Sequence, residues 1–310
     1  MGRCLLGLVL VCPSGHDPRP VDLLSEAFQG IAFGDTVAEV TRKLDGQCTE
    51  QRTILVEDPS LPLARETQTH IVALGVDSVG VDEAAFAFGD DGLVQVEVRG
   101  GAVDALLPAL DEEPVRVHDY TVWLGARIIA HQERDVVWFL TEEGLHPHLF
   151  LWENPDLPSV GAPGKPYERS AAKPDILDFG RSLEDLLPRM KAVSAFTTRE
   201  DIGQPWLPTK PVLQTQINCY GVAYAGFPRK IEAVFGDEKL QLAWILTAKA
   251  EEARVRKALV EAYGPAEFVS TTWEAFDGWR VALRKDKPEV LMIADELIPF
   301  YRESIRSTGD

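Results

Sequence analysis

The sequence contains two copies of one pattern, and this internal repeat constrains the fold more than any other feature. The stretch FGDTVAEVTRKL begins at Phe33, and FGRSLEDLLPRM begins at Phe179. Three further anchors follow in the same order: Leu61-Pro62 with Leu207-Pro208, Phe88-Gly89-Asp90 with Phe235-Gly236-Asp237, and residues 126–140 with residues 279–293. Four ordered anchors indicate the tandem duplication of a unit of about 150 residues, which is long enough to be a domain.

A Pro-rich segment, residues 153–175, separates the two copies. It holds five prolines, which push the chain toward extended conformations, and it has little apolar surface to bury. We therefore predict four parts of the chain: a signal-like or disordered N-terminus (1–20), a first α+β unit (21–152), the linker (153–175) and a second α+β unit (176–310).

Each copy carries a helix start signal at its beginning. Thr36 is followed three residues later by Glu39, and Ser182 by Asp185, which is the spacing of a capping box. Apolar or small residues then recur at helical spacing, which predicts one face packed on a sheet. They are Val37, Val40, Thr41 and Leu44 in the first copy, and Leu183, Leu186, Leu187 and Met190 in the second.

The rest of each copy reads mainly as strands. A β-hairpin is predicted with its turn at Asp90-Asp91-Gly92, and again at Gly236-Asp237-Glu238, because Asp and Gly favour turn conformations. A helix and three further strands follow. The second copy ends in a helix from about Asp295 to Arg306, where the first has the strand-like PHLFLW. Few helices beside consecutive hairpin strands predict an α+β fold of two tandem homologous units, each with short helices packed on an antiparallel β-sheet.

The net charge of -18 is concentrated in the first half of the chain. Residues 1–155 hold 10 Lys and Arg against 26 Asp and Glu, whereas residues 156–310 hold 21 against 23. Such a field repels nucleic acid and anionic membranes and speeds encounter with a cationic partner. We therefore expect no nucleic-acid partner, and a protein partner with a basic surface. The alternative interpretation is that the acidity only maintains solubility.

The N-terminus, MGRCLLGLVLVCPSGHDPRP, resembles a secretory signal. One Arg precedes an apolar run from Cys4 to Cys12, which is too short to span a bilayer because a span takes about 20 residues. No other segment approaches that length, so we predict no transmembrane span and a periplasmic or envelope-associated location. The alternative is a buried first strand in a cytoplasmic protein.

Four cysteines are present, without the CxxC or Cys/His spacing of a zinc site or a disulfide scaffold. Cys48 and Cys219 remain if the N-terminus is removed. They occupy non-equivalent places in the two copies, so a bridge would have to join one copy to the other. Two free thiols are expected instead.

The opening helix resembles that of two bacterial groups, on the pattern of Gly34, Thr36, Val40 and Leu44. These are the SmpA/OmlA (BamE-type) small outer-membrane lipoproteins and the β-lactamase-inhibitor-protein-like domains. The resemblance implies short helices on an antiparallel sheet and a binding or assembly role. The Gly-x-Pro usual in the family after this helix is replaced here by DGQC and KAVS.

Few residues are candidates for a catalytic or metal-binding role. His146 and His148 are spaced to share a strand face, with Glu142 and Glu143 nearby, but no Cys completes a metal site. His118-Asp119 and His131 have the residue types for acid–base roles, yet no nucleophile motif accompanies them. The Asp90-Asp91-Gly92 cluster fits a turn better than a calcium site. No catalytic residue, metal or cofactor is therefore predicted.

Trp206 is the one residue predicted to bind a partner. Five other tryptophans fall on predicted strands, where core packing is expected: Trp123, Trp138, Trp244, Trp273 and Trp279. Trp206 lies instead in the Pro-rich connection GQPWLPTKP, where an exposed Trp would suit a binding hot spot. The alternative is that Trp206 packs back on its own sheet.

The leading hypothesis is a non-enzymatic protein-binding or assembly protein of the bacterial cell envelope, built from a duplicated domain. A second hypothesis is a cytoplasmic inhibitor or immunity-type protein whose acidic first unit binds a basic partner. A third is an enzyme whose site is assembled from dispersed residues in the cleft between the units.

Overall fold

A computed structural model describes residues 23–145, 149–160 and 167–308. The predicted N-terminal signal, His146 and His148 lie outside the described residues. Within these ranges the chain forms two eight-stranded antiparallel sheets, each accompanied by a few short helices. The predicted α+β fold with two similar units is confirmed.

The described residues of the first unit form four α-helices and eight strands, together with short 3-10 turns. Its sheet has the strand order β1-β2-β3-β4-β8-β7-β6-β5. In chain order the elements are α1 (Leu23–Ala27), α2 (Val37–Leu44), β1 (Cys48–Val56), β2 (Gln68–Val76), β3 (Val81–Gly89), β4 (Gly92–Arg99), α3 (Ala102–Leu106), β5 (Val115–Val117), β6 (Tyr120–Trp123), β7 (Ile128–His131), β8 (Val136–Leu140) and α4 (Glu142–Leu145).

The second unit repeats this order, as β9-β10-β11-β12-β16-β15-β14-β13. Its elements are α5 (Leu183–Val193), β9 (Phe196–Asp201), β10 (Gln214–Tyr224), β11 (Phe227–Gly236), β12 (Lys239–Leu246), α6 (Glu252–Tyr263), β13 (Phe268–Val269), β14 (Trp273–Phe276), β15 (Val281–Arg284), β16 (Glu289–Ile293) and α7 (Ile298–Thr308). The helix predicted at the end of this unit is confirmed as α7, preceded by a short 3-10 turn.

The duplication extends to individual hydrogen bonds. In the first unit Gln68 Oε1 accepts the backbone N–H groups of residues 60 and 61, both at 2.9 Å. In the second unit Gln214 Oε1 accepts those of residues 206 and 207 at 2.9 and 3.0 Å. The same side chain thus anchors the same loop in both units.

The hairpin turns are also equivalent. Asp90 and Asp91 have φ of 52° and 71°, and Asp237 and Glu238 have φ of 45° and 65°, as two-residue hairpin loops require. The Asp90 carboxylate accepts the backbone N–H groups of residues 65–67. Asp237 Oδ1 accepts those of residues 212 and 213. The predicted turns are confirmed, and each also fixes the neighbouring loop.

The opening helices are capped as predicted, with one difference. At α2 the box is complete, since Thr36 Oγ1 accepts the Glu39 N–H at 3.3 Å and Glu39 Oε2 accepts the Thr36 N–H at 2.8 Å. At α5 Ser182 Oγ accepts the Asp185 N–H at 3.1 Å. The reciprocal bond is not made there, which fits a side chain one methylene shorter than Glu.

Two kinds of segment were predicted wrongly. The edge strands β1 and β9 were not predicted, because their side chains are mostly exposed and lack apolar alternation. Residues in short turns were predicted as strands instead. Leu149–Leu151, from PHLFLW, forms a 3-10 helix, and Trp279 ends another 3-10 turn.

Each sheet has a front face, which packs against helices, and a back face. The front faces bury similar apolar clusters under α2 and α3 or under α5 and α6. The back faces are covered differently. Helix α7, through Tyr301 and Ile305, and the 3-10 turn before it, through Leu297, cover much of the second sheet. Residues 149–160, which we call the covering segment, and part of the second unit cover the first sheet.

The covering segment corrects the prediction that the linker has little to bury. Asn154 and Leu157 are each only 1% exposed, and Leu157 packs on Val72 and Ala85 of the first sheet. The prolines at the start of the linker therefore lie in a segment that packs on the first sheet. Their extended conformation does not prevent burial.

Removing the repeated glutamine should destabilise both units to a similar extent. In Gln68→Ala or Gln214→Ala, the buried N–H of Leu61 or Leu207 loses its acceptor, which costs about 2 kcal/mol of unfolding free energy. Urea unfolding of each variant measures this. Gln132→Ala, at an exposed position, is the control and should unfold like the wild type. Equal stability of all three variants would contradict the anchoring role.

Candidate protein-interaction surface

In the first unit, the loop between β1 and β2 is docked onto the second unit. Leu61, Leu63 and Ala64 are buried in one cluster with Phe227 and Ala248 of the second unit. The loop also lies tightly against its own sheet, because a Cβ built on Gly89 of β3 would lie 2.5 Å from the Leu63 carbonyl oxygen. This loop thus forms part of the contact between the two units.

A polar contact accompanies this apolar docking. Arg254 Nη2, from α6, donates to the Leu61 carbonyl oxygen at 2.7 Å. Glu251 lies beside Arg254 and forms a buried ion pair with Arg229, at 2.7 Å between Nη2 and Oε2. Burial lowers the pKa of Arg254, and the Glu251 carboxylate opposes that shift. Asp58 and Arg169 form a further, exposed ion pair between the loop and the residues leading into the second unit.

The equivalent loop of the second unit, residues 202–213 between β9 and β10, is held just as firmly. Leu207 is only 2% exposed and packs under α7. Lys210 N–H donates to the Leu207 carbonyl at 2.9 Å, as Ala64 N–H does to Leu61 at 3.0 Å. Thr209 Oγ1 donates to Gln241 Oε1 at 2.6 Å. These bonds fix the loop in one conformation.

This second loop displays large apolar side chains to solvent. Trp206 is 42% exposed, Val212 85% and Leu213 63%. The two ends of the loop lie close together, because Gln214, next to Leu213, holds the Trp206 backbone. We call these three residues the loop patch. Trp206 thus packs partly on its own unit and is partly open to a partner.

Sequence reasoning singled out Trp206 and missed Val212 and Leu213. The signal present was two consecutive large apolar residues directly after Pro211, in a connection between strands. It does not identify a surface by itself, since the same pattern begins many buried strands. The exposure follows from Asp237, whose carboxylate holds the backbone of both residues and turns their side chains outward.

Charged residues of both signs are exposed in the segments that flank the loop patch in the chain. Lys210 belongs to the same loop, and Glu238 and Lys239 follow Asp237, which binds that loop. Glu200 is exposed on strand β9, where Arg199 and Asp201 pair with each other at 3.0 Å. Protein–protein interfaces commonly combine apolar side chains with charged and polar ones.

A row of polar side chains is buried on the back face of the first sheet, beneath the covering segment. Glu97 Oε2 accepts the Asn154 N–H at 2.7 Å, and Arg99 Nη2 lies 3.1 Å from Glu153 Oε1. Burial raises the pKa of Glu97, and the Arg99 guanidinium opposes that shift. These groups tie the covering segment to β4.

The same row continues across the neighbouring strands. Glu83 accepts the Ser159 N–H at 3.2 Å, and burial raises the pKa of this carboxyl. His70 Nδ1 lies 2.6 Å from Asp156 Oδ2, and this hydrogen bond lowers the pKa of Asp156. The side chains of this polar row thus bind the covering segment, and we assign the row a structural role.

The histidines considered for catalysis lie apart from buried carboxylates in the described part of the chain. His118 is exposed, lies 2.7 Å from Asp119 Oδ2 and stacks on Phe196 at 4.6 Å between ring centroids. His131 meets Tyr120 edge to face at 5.1 Å, and burial with the nearby Arg134 lowers the pKa of His131. An enzymatic function remains one of the hypotheses from the sequence.

Metal and thiol chemistry have little support among the described residues. No group of three or more His, Cys, Asp or Glu side chains in residues 23–145, 149–160 and 167–308 is placed to hold a metal ion. Cys48 and Cys219 are free thiols, as expected. Burial raises the pKa of Cys219 to about 11, which keeps this thiol protonated and unreactive at neutral pH.

One polar cluster lies on the back face of the second sheet, beside Trp244. Arg284 Nη1 lies 3.0 Å from Glu289 Oε1, and Lys230 Nζ lies 2.6 Å from Glu232 Oε1. Burial raises the pKa of Glu289 to about 7, although Arg284 lowers it and Glu232 raises it further. Because these charges are paired with one another, we assign the cluster no role in binding a ligand.

Two further findings concern the similarity of the chain to known proteins and the length of its helices. Comparison finds no family model that matches the chain, and no curated protein or solved structure significantly similar to it. Across the described ranges, the helices are all too short or too polar to span a membrane. The function is therefore argued from the geometry of the chain itself.

Replacing Glu289 should change how stability depends on pH. The folded pKa of about 7 lies above the ordinary 4.5, so between these values the unfolded state releases its proton first and stability falls as pH rises. Glu289→Gln removes this effect. Its unfolding free energy, relative to the wild type, should rise by about 3 kcal/mol from pH 4.5 to pH 8. Urea unfolding across this range measures it, and Glu261→Gln, at an exposed carboxylate, should show no such trend.

Proposed function

We propose that this chain is a non-enzymatic protein-binding or assembly protein of the bacterial cell envelope, built from a duplicated α+β unit. The observation that carries the proposal is the loop patch. Trp206, Val212 and Leu213 stand in solvent on a loop that is fixed by hydrogen bonds at both ends.

Physical reasoning connects this patch to binding. Exposed large apolar side chains that lie together cost solubility, and in soluble proteins such groups mark interaction sites. A fixed loop loses little conformational entropy when a partner covers it, so more of the gain from burial appears as affinity. A Trp at the centre of such a patch is the residue type most enriched at binding hot spots.

The first unit supports the same interpretation. There the equivalent loop is covered by the second unit, through an apolar cluster and the bond from Arg254 to Leu61. The loop of this fold therefore serves association once within the chain. In the second loop Leu207, the equivalent of Leu61, is buried with residues of α7, and the exposed apolar side chains stand at other positions of the loop.

The envelope location rests on sequence features. The first residues resemble a secretory signal, and the opening helix of each unit resembles that of SmpA/OmlA-type envelope lipoproteins and of β-lactamase-inhibitor-protein-like domains, which have binding or assembly roles. The antiparallel sheet under short helices agrees with the fold that this resemblance implies.

A second candidate function is favoured by the charge distribution. Residues 1–155 carry 16 more acidic than basic residues, which suits an inhibitor or immunity-type protein that covers a basic partner with its first unit. This candidate expects a cytoplasmic protein without signal cleavage. Its complex would weaken steeply as salt is added.

The proposal is tested by photo-crosslinking in cells that produce the protein. A benzoylphenylalanine placed at position 206 or 212 should form covalent adducts, because a partner covers these side chains. The control is position 269, where Val269 is 59% exposed on the same unit and outside the patch. Adducts at 206 and 212 but not at 269 are expected. Equal labelling at all three positions, or none at 206 and 212, would refute the proposal.

A further inference from the structure

We infer that strand β1 pairs edge to edge with β1 of a second copy of this chain, across a two-fold axis. The inference concerns a different surface from the loop patch, so it goes beyond the proposed function and holds or fails independently of it. Such antiparallel pairing would join the first sheets of two copies into one continuous sheet, as a strand added to an exposed sheet edge does in peptide recognition.

Strand β1 is the longest open edge of the two sheets. The strands at the ends of the sheets are β1, β5, β9 and β13, with nine, three, six and two residues respectively. Short edge strands are one of the ways in which proteins prevent unwanted pairing. Strand β9 begins at Phe196, which is only 7% exposed and stacks on His118 of the first unit. Strand β1 is neither short nor covered in this way.

The middle of β1 is open to solvent on both faces of the sheet. The five consecutive residues Thr49–Thr53 are all exposed, and successive side chains of a strand point to opposite faces. In the described part of the chain, β1 pairs with β2 alone. Its other edge therefore presents a row of backbone N–H and C=O groups that another strand can bind.

The sequence of β1 is complementary to itself when it is paired antiparallel about Gln51. Glu50 of each copy then lies opposite Arg52 of the other copy. Unlike charges at directly opposed positions stabilise a strand pair. The remaining opposed pairs are alike in character: Thr49 with Thr53, Cys48 with Ile54, and Gln51 with itself.

The structure places the two charged side chains of β1 on one face. Glu50 and Arg52 are two residues apart in a stretch whose register with β2 is regular, so their side chains point to the same face. Arg52 Nη2 donates to the carbonyl oxygen of Asp156 at 2.5 Å, which identifies this as the back face, where the covering segment lies. A two-fold axis perpendicular to the sheet keeps the back faces of both copies on one side, so Glu50 and Arg52 meet directly.

The same charges disfavour the neighbouring registers. A two-fold pair centred on Glu50 would oppose two Glu50 side chains, and one centred on Arg52 would oppose two Arg52 side chains. Like charges directly opposite each other destabilise a strand pair. The charges of β1 therefore select the register centred on Gln51.

The expected association is weak. The contact joins two strand edges, so it is small beside the interfaces of permanent dimers. Residues 1–155 also carry 16 more acidic than basic residues, so two copies repel one another at long range. Salt at about 0.15 M screens charges more than about 8 Å apart, whereas directly opposed side chains lie closer than that. We therefore expect a dimer that forms reversibly as concentration rises at this salt.

Sedimentation velocity over a concentration series, at about 0.15 M salt, tests the inference with the full chain. The wild type should shift from monomer toward dimer. Glu50→Arg opposes Arg to Arg twice, and Arg52→Glu opposes Glu to Glu twice, so each should raise the dissociation constant about tenfold. An equimolar mixture of the two variants should dimerise like the wild type, because every opposed pair of charges in the mixed dimer is unlike.

The matched control is Glu113→Arg, which makes the same change of net charge at an exposed position of the first unit outside β1. It should dimerise like the wild type. A wild type that is monomeric at every concentration overturns the inference, and so does a Glu50→Arg variant that dimerises as the wild type does. A mixture of the two folded variants that stays monomeric also overturns it.

Circular dichroism confirms that each variant is folded. Arg52→Glu also removes the bond to the Asp156 carbonyl, so if that variant fails to fold, the comparison of Glu50→Arg with Glu113→Arg decides alone. Crosslinking at positions 206 and 212 reports on the other surface. A monomeric chain that still crosslinks there overturns the pairing of β1 and leaves the proposed function supported.

Discussion

A wide antiparallel sheet has two faces, and the requirement that both be covered organises this molecule. Each eight-stranded sheet buries its front face under its own helices in the same way. The back faces have no such common solution. In the second unit α7 supplies much of the cover, whereas the described residues of the first unit include no equivalent helix and its sheet is covered by the covering segment together with the neighbouring unit. The two copies of one fold thereby acquire different surroundings.

The polar row of the first sheet follows from that difference. The covering segment buries apolar side chains such as Leu149 and Leu157, and Glu97, Arg99 and His70 also fix it by hydrogen bonds and ion pairs. Equivalent positions on the second sheet are occupied by apolar or mixed side chains beneath or beside α7. The two units therefore share the hydrogen bonds that fix their loops, but they differ in the side chains on the back face of each sheet.

The loop patch follows from the same asymmetry. The first loop is buried because the second unit lies against it, and its side chains, Leu63 and Ala64, are small or aliphatic and fit that contact. The second loop instead buries Leu207 with Tyr301 and Ile305 of α7. Its anchors, Gln214 and Asp237, hold the same backbone shape, so the side chains that the frame turns outward meet solvent and are free to meet a partner.

How far the sequence predicts the fold can be judged from particular elements. Strong local signals mark the helix at Thr36, the hairpin at Asp90 and the equivalent elements of the second copy. Each of these elements is observed close to its predicted place. The edge strand β1 was missed because one neighbour and mostly exposed side chains leave no apolar alternation to detect. Trp206 was recognised as unusual from its context, but its exposure was not derivable.

The sequence by itself determined the duplication, the order of most elements and the excess of acid in the first half, because repeats, caps, turns and charge are properties of residues near one another in the chain. Only the tertiary structure decided what covers each sheet, which groups bury each of the two equivalent loops, and that Val212 and Leu213 are exposed along with Trp206. Burial depends on groups brought together from distant parts of the chain. The physical reason is that Leu61 and Leu207 have similar local anchors, but Leu61 is buried beside Phe227 and Arg254 of the other unit, whereas Leu207 is buried beside Tyr301 and Ile305 of its own.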